Sequence, residues 1–157
     1  MYNKILVPLD GSKLAECVIP HVEELTKLNP KTQVILLRIC EPPVIAADYP
    51  ANMPDGWDEH VKLENDFVQR QCEIYLGDIE KQLKGKGLNV KMESRLGNPA
   101  EQIAECAKNY KVDLIVIASH GRSGISRWAY GSVAEKVLHA TSVPVLMIKA
   151  PGALQGV

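Results

Sequence analysis

Continuous apolar runs alternate along this chain with segments whose apolar residues recur every three to four positions, the signatures of buried strand and amphipathic helix. The first run, Lys4-Ile5-Leu6-Val7-Pro8-Leu9-Asp10, ends in an acid and is punctuated by Gly11-Ser12, with Ser12 placed to cap the first helix. That helical segment carries Leu14, Val18, Val22 and Leu25 on one face, and Asn29-Pro30 stops it. Residues 34–39 form a second apolar run, as in a strand covered on both sides. Phe67, Gln71, Tyr75, Ile79 and Leu83 step along a long helix closed by Gly85 and Gly87, and residues 88–96 form a third strand. Gly97-Asn98-Pro99 opens another helix, with Asn98 as cap, Pro99 in the first position and Glu101 at capping-box spacing; Ile103, Ala104 and Ala107 face the core. Residues 113–118 read as the fourth strand, 132–140 as the fourth helix and 143–149 as the fifth strand.

Five strands alternating with four helices predict one α/β domain over residues 1–150 and a tail over 151–157. The fold class is a single-domain, five-stranded, parallel, doubly wound sheet, Rossmann-like, with helices on both faces. Residues 41–57 interrupt the alternation with Pro42, Pro43, Pro50, Pro54 and Gly56. They read as an irregular loop, long enough to mark a functional or mobile connection.

Composition narrows the classes that remain. The 157 residues carry a net charge of −1, without the basic excess of a nucleic-acid binder. No apolar run approaches the length of a membrane span, which argues against membrane insertion. Cys17, Cys40, Cys72 and Cys106 show no CxxC pair and fall in or beside predicted elements, so neither a metal site nor a disulfide is expected. Met1-Tyr2-Asn3-Lys4 enters the first strand without the layout of a signal peptide, and the setting expected is cytoplasmic.

In an open parallel sheet ligands lie outside the carboxyl ends of the strands, where the winding reverses. The first strand ends there in Asp10 and the fourth in Ala118-Ser119-His120-Gly121. Nine residues later Gly131-Ser132 opens the fourth helix, with Ser132 and Glu135 at capping-box spacing. Between Asp113 and Glu135 there is no acid, while Arg122 and Arg127 are present. Glycines that let backbone N–H groups approach, arginines and a helix N-terminus together suit a polyanion such as a nucleoside triphosphate. No catalytic residue is assigned, because His120 has no triad partner legible in sequence. His21, His60 and His139 are dispersed without metal-ligand spacing, so no metal ligand is assigned either. Trp57 and Trp128 lie in predicted loops, with packing as their default role.

These motifs, in this order and spacing, resemble those of the universal stress protein family, in its nucleotide-binding branch. That branch has Gly-x-x-Gly, nine residues, then Gly-Ser or Gly-Thr, and this chain has Ala118-Ser119-His120-Gly121, nine residues, Gly131-Ser132. Gly97-Asn98-Pro99-Ala100 is similar to the family's Gly-x-Pro turn, and Pro144-Val145-Leu146-Met147-Ile148 to its closing strand. The resemblance covers nearly the whole chain and implies the adenine nucleotide α hydrolase-like variant of the fold.

It also implies a function: an ATP-binding regulatory stress-response protein, a homodimer serving as nucleotide-dependent sensor or adaptor. The nucleotide-binding residues it implies are Pro8, Leu9, Asp10, Ile39, Gly97, Ala118, Gly121, Arg122, Gly131, Ser132 and Val133. Asp10 would meet the adenine or ribose side, the backbone at Ile39 the adenine edge, and Gly97 the ribose. Gly121, Arg122, Gly131, Ser132 and Val133 would hold the phosphates. Any Mg2+ would be held by ligand and water, since no dedicated carboxylate stands out. Ala118 replaces the first glycine of the motif; if that position requires φ > 0, alanine costs on the order of 1 kcal/mol or more. In the family the last strand pairs with its copy in a second subunit, which here would be residues Val143 to Ile148; a regulated protein partner stays unidentified.

The alternatives are a slow ATP-hydrolysing or autophosphorylating enzyme and a cyclic-AMP-binding module. No Gly-x-x-x-x-Gly-Lys-Ser/Thr loop is present, and no His-x-x-His pair of the adenylyl-transferring relatives. A phospho-acceptor receiver would need an acid ending the third strand, where Ser94-Arg95-Leu96 stands. A flavodoxin would need a hydroxyl-rich loop after the first strand.

Overall fold

The computed structural model describes residues 2–42, 52, 54–119 and 132–151. Its order is β1 (Lys4–Pro8), a 3-10 turn (Ala15–Val18), α1 (Ile19–Lys27), β2 (Gln33–Cys40), α2 (Trp57–Gly85) and β3 (Asn89–Leu96). Next come α3 (Pro99–Tyr110), β4 (Leu114–Ser119), α4 (Ser132–Ala140) and β5 (Val145–Lys149). The five strands form one parallel sheet in the order β3-β2-β1-β4-β5. The chain winds from β1 outward to β3, returns to lay β4 on the other side of β1, and finishes at β5. The winding therefore reverses between β1 and β4, where the crossovers leave a crevice at the carboxyl ends.

Both sheet faces are buried, and the pleat explains how one apolar run serves two cores. Successive strand residues point to opposite sides. Ile5 and Val7 join Val18, Val22, Val34, Leu36, Leu76 and Leu83 in one core, while Leu6 joins Ile35, Leu37, Ile103, Ala107, Ile115 and Val137 in the other. Helices α1 and α2 close the first core and α3 and α4 the second, giving the doubly wound α/β architecture expected. The amino end of β1 is pinned by a residue far along the chain: Asp113 Oδ2 accepts the backbone N–H groups of Asn3 at 2.6 Å and Lys4 at 2.9 Å.

Local punctuation behaves as the residues dictate. Asn98 caps α3, its Oδ1 accepting the Glu101 N–H at 3.4 Å, with Pro99 in the first turn. Gly87, at φ +86°, turns the chain out of α2.

Five expectations are corrected. Leu14 is 49% exposed, because the chain after Gly11 enters a 3-10 turn whose tighter winding buries Ala15 in its place, while Val18, Val22 and Leu25 face the core as expected. Trp57 opens α2 rather than lying in the preceding loop. Along α2 the buried stripe is Val61, Cys72, Leu76, Ile79 and Leu83, while Phe67 and Gln71 are exposed; only Ile79 and Leu83 of the expected face, with half-buried Tyr75, turn inward. The fourth concerns the cysteines. Cys40, at the end of β2, and Cys72, on the buried side of α2, are joined in a disulfide with Cα atoms 6.6 Å apart. Their separation of 32 residues hides the pair in sequence, and only the packing of α2 over the sheet brings them together. Cysteine usage therefore gives no support to a reducing compartment; Cys17 and Cys106 are free thiols. β5 starts at Val145, because the Val143 N–H is turned onto Thr141 Oγ1 at 3.1 Å.

Among the described residues no helix is long and apolar enough to cross a membrane, and no group of three His, Cys, Asp or Glu is placed to hold a metal.

Candidate functional site

A cleft of about 570 Å³ opens at the carboxyl ends of β1 and β4. Pro8, Leu9 and Asp10 form its β1 side, and residues 37–41 continue it along β2. Ile117 and Ala118 come from β4, Pro99 and Ile103 from α3, and Val68 and Cys72 from α2. Ser132, Val133 and Ala134, the first three residues of α4, close the far side. Its walls are apolar at Leu37, Ile103, Ile117 and Val133, and its polar side chains are Asp10, Arg38, Glu41 and Ser132.

The chain builds the β1 rim from a sequence of short-range bonds. The Leu9 N–H donates to the Leu37 carbonyl at 2.8 Å, extending the ladder one residue past the strand. Asp10 Oδ1 then accepts the Ser12 N–H at 2.8 Å, and Ser12 Oγ accepts the Ala15 N–H at 3.1 Å. Asp10 thus fixes the turn leaving β1 and lines the cleft at once. Between them Gly11 sits at φ +88°, in the left-handed region that glycine takes without a Cβ penalty.

Arg38 is the cation of this rim. Its guanidinium lies against Gly11 and over the Tyr75 ring, 4.9 Å from the centroid. Tyr75 Oη in turn donates to Glu16 Oε1 at 3.1 Å, and burial, reinforced by the Glu16 charge, pushes its phenol well above the ordinary range. The phenol stays protonated and serves as donor and platform. Sequence reasoning passed over Arg38, although a charged residue inside the apolar run 34–39 was a signal: such a strand keeps a cation only where its end reaches an opening.

The expected site residues divide into three groups. The structure brings Pro8, Leu9, Asp10, Ile39, Ala118, Ser132 and Val133 together around the cleft. Gly97 stands one step behind the wall: it is not among the lining residues, but its N–H donates to the Cys40 carbonyl at 3.2 Å and its φ is +134°. Gly121, Arg122 and Gly131 lie outside the described residues, as do His120 and Arg127. Ala118 is a residue of β4, and Lys111 is the only non-glycine residue with positive φ among those described. The place of Ala118 asks for a small side chain, not a left-handed backbone, and alanine meets that demand without strain.

Chemically the cleft suits a ligand with a flat apolar body and an anionic end. Apolar walls accept the body, and the first turn of α4, whose leading N–H groups have no acceptor within the helix, lines the far side. Ser119 is occupied elsewhere: its Oγ is directed at the Ile148 carbonyl, at 3.5 Å.

Residues 1–149 match the model of a family described as "Universal stress protein family". The chain is 29% identical over 155 residues to Universal stress protein MJ0577 of Methanocaldococcus jannaschii, covering 95% of this chain and 96% of that one. It is 34% identical over 152 residues to a universal stress protein of Methanothermobacter thermautotrophicus, covering 95% and 97%. A solved structure of MJ0577 superposes with a TM-score of 0.77 over 97% of this chain and 99% of that one. Universal stress protein UspA from Lactobacillus plantarum, 21% identical, superposes at 0.72 over 94% and 97% and shares the fold. Two further structures share the fold at a TM-score of 0.59: a universal stress protein in complex with cAMP, 18% identical, and an Arabidopsis thaliana member with AMP bound, 16% identical. This chain belongs to the universal stress protein family.

Proposed function

We propose that the cleft binds an adenine nucleotide, with ATP as its ligand, and that the protein is a nucleotide-dependent regulatory module of a cytoplasmic stress response. The observation that carries this reading is the joining, in one cleft at the winding reversal, of the apolar β1–β2 wall and the first turn of α4. The adenine takes the apolar wall, with the backbone at Ile39 reading its edge. Asp10, held in place by the Ser12 N–H, faces the ribose. The phosphates run toward Ser132 and Val133, where free N–H groups and the positive end of the helix dipole stabilise anionic charge. By the family resemblance, Gly121, Arg122 and Gly131 would also hold the phosphates. The carboxylates lining the cleft are Asp10 and Glu41, too few for a protein cage around Mg2+, so phosphate oxygens and water would supply most of its ligands.

The role in this reading is binding, with a slow ATP-hydrolysing or autophosphorylating enzyme as the alternative.

Assembly is part of the same reading. β5 lies at the sheet edge, paired with β4, and Leu146 on it is 37% exposed. An apolar edge strand exposes unpaired backbone groups and is commonly covered. A second copy of the chain covers it by strand pairing across a twofold axis.

The deciding experiment is mass spectrometry of nucleotide released from purified protein, followed by calorimetric titration with ATP, AMP and cyclic AMP. ATP binding that is lost in Ala118→Leu, which fills the cleft, supports the reading. Absence of binding by all three nucleotides overturns it. Tighter binding of cyclic AMP would replace the ligand and keep the site.

A further inference from the structure

We propose that Cys40 and Cys72 are a reversible thiol–disulfide site that couples oxidation by a hydroperoxide to nucleotide affinity. The inference rests on the cleft being the nucleotide site. Three observations place the pair where it can act. Both cysteines lie in the cleft wall, Cys40 2% and Cys72 3% exposed, and their Cα atoms are 6.6 Å apart, within the usual disulfide range. Cys40 succeeds Ile39 directly in the wall, and its carbonyl accepts the Gly97 N–H at 3.2 Å, so its position sets that wall. Cys72 stands where the deep burial of α2 begins: among residues 57–71 only Val61 is buried, whereas Cys72, Leu76, Ile79 and Leu83 all lie on the inner face. The bond therefore anchors α2 next to the turns that carry Val68 into the cleft, which are also held to β3 where Gln69 Nε2 donates to Ser94 Oγ at 3.2 Å.

The chemistry balances with a hydroperoxide as oxidant. One thiolate attacks a peroxide oxygen, the O–O bond breaks, and a sulfenic acid and hydroxide form; with H2O2 the hydroxide is protonated to water. The second thiolate attacks the sulfenic sulfur, the S–S bond forms, and the S–O oxygen leaves as a second water. Two thiols lose two electrons and two protons in total. Two molecules of a glutathione-type thiol reverse the step by exchange, leaving as their own disulfide. Cys17 and Cys106 belong to the two different cores, on opposite faces of the sheet, and are free thiols that do not pair with each other. The oxidised state holds the α2 wall in place and binds nucleotide more tightly, because less ordering remains to be done on binding.

The test equilibrates the protein in glutathione buffers of graded potential, alkylates free thiols, identifies them by mass spectrometry and titrates ATP at both extremes. Cys40 and Cys72 are expected to change together while Cys17 and Cys106 stay alkylatable. Reduction should weaken ATP binding at least about fivefold, the low end of ordinary coupling, and saturating ATP should favour the disulfide by the same factor. Cys40→Ser and Cys72→Ser should show the weaker affinity in every buffer. Amide exchange over residues 57–71 of the unmutated protein should quicken on reduction, a readout that needs no variant. Free Cys40 and Cys72 in the most oxidising buffer, or exchange indifferent to redox state, would overturn the proposal. ATP affinity that ignores redox state overturns the coupling alone, whereas ATP failing to bind in either state removes the nucleotide reading and the coupling with it.

Discussion

The guanidinium of Arg38 lies across Gly11 so closely that a Cβ built on the glycine would meet Arg38 Cζ at 2.8 Å. Gly11 belongs to the turn leaving β1 and Arg38 to the neighbouring β2, so the contact couples two strand ends at the rim of the cleft. Its other support is Tyr75, reached from α2. Replacing Gly11 by alanine introduces a Cβ at φ +88° and displaces the cation from its seat. The left-handed backbone alone costs about 1–2 kcal/mol. Calorimetric unfolding of Gly11→Ala should show a melting temperature lower by roughly 2–4 °C for each kcal/mol lost. Unchanged melting would mean that the turn relaxes to negative φ.

The Cys40–Cys72 bond closes a loop of 32 residues. On the chain-entropy model such a crosslink is worth on the order of 3–4 kcal/mol. Under oxidising conditions Cys72→Ser should unfold at markedly lower urea than the unmutated protein. Once both are reduced, the two midpoints should converge. A gap that persists after reduction would assign the loss to packing of the sulfur, not to the crosslink.

Glu93 on β3 offers a pH test. Burial works against its charged form, but hydrogen bonds donated by the Tyr110 hydroxyl and by Arg95 Nε, the latter at 2.5 Å, outweigh it and hold the carboxyl below its ordinary value of 4.5. A carboxylate depressed in the folded state adds stability that is complete above the unfolded value and is lost as pH falls through the folded one. Melting temperatures tracked from about pH 6 to pH 3 should decline less steeply in Glu93→Gln, with the curves converging at the acid end. Parallel curves would remove Glu93 from the acid response.

Leu146→Glu addresses assembly. The side chain is 37% exposed on the edge strand, so the isolated subunit should tolerate the change. A carboxylate facing its symmetry mate at a strand-paired interface should instead be strongly unfavourable. Sedimentation of the unmutated chain as a dimer and of the variant as a monomer, with matching circular dichroism, is the expected outcome. Equal sedimentation would move the interface elsewhere.

Much of this architecture is readable residue by residue. Apolar runs such as 34–39 can only be strands buried on both faces, and Asn98-Pro99 can only begin a helix, because pleat, cap and ring constraints act within a few residues. Gly97 and Ala118 were legible as special positions for the same local reason. Sequence stops at contacts set by how elements stack. The phase of α2, which turns Cys72 inward and Phe67 outward, depends on where the helix begins and on the β2–β3 surface beneath it. The seat of Arg38 on Gly11 and the union of Cys40 with Cys72 depend on that stacking in turn.

By itself, then, the order of amino acids determined five strands, four helices, the Asn98 cap of α3 and part of the set of residues at the carboxyl ends, since those arise from periodicity and from each residue's own backbone preferences. Tertiary structure decided that β1 and β4 stand side by side with a crevice between them, that a cation from β2 rests on its β1 rim, and that two distant cysteines share its wall. These come from burying two faces of one sheet at once, a condition no local stretch of chain can express.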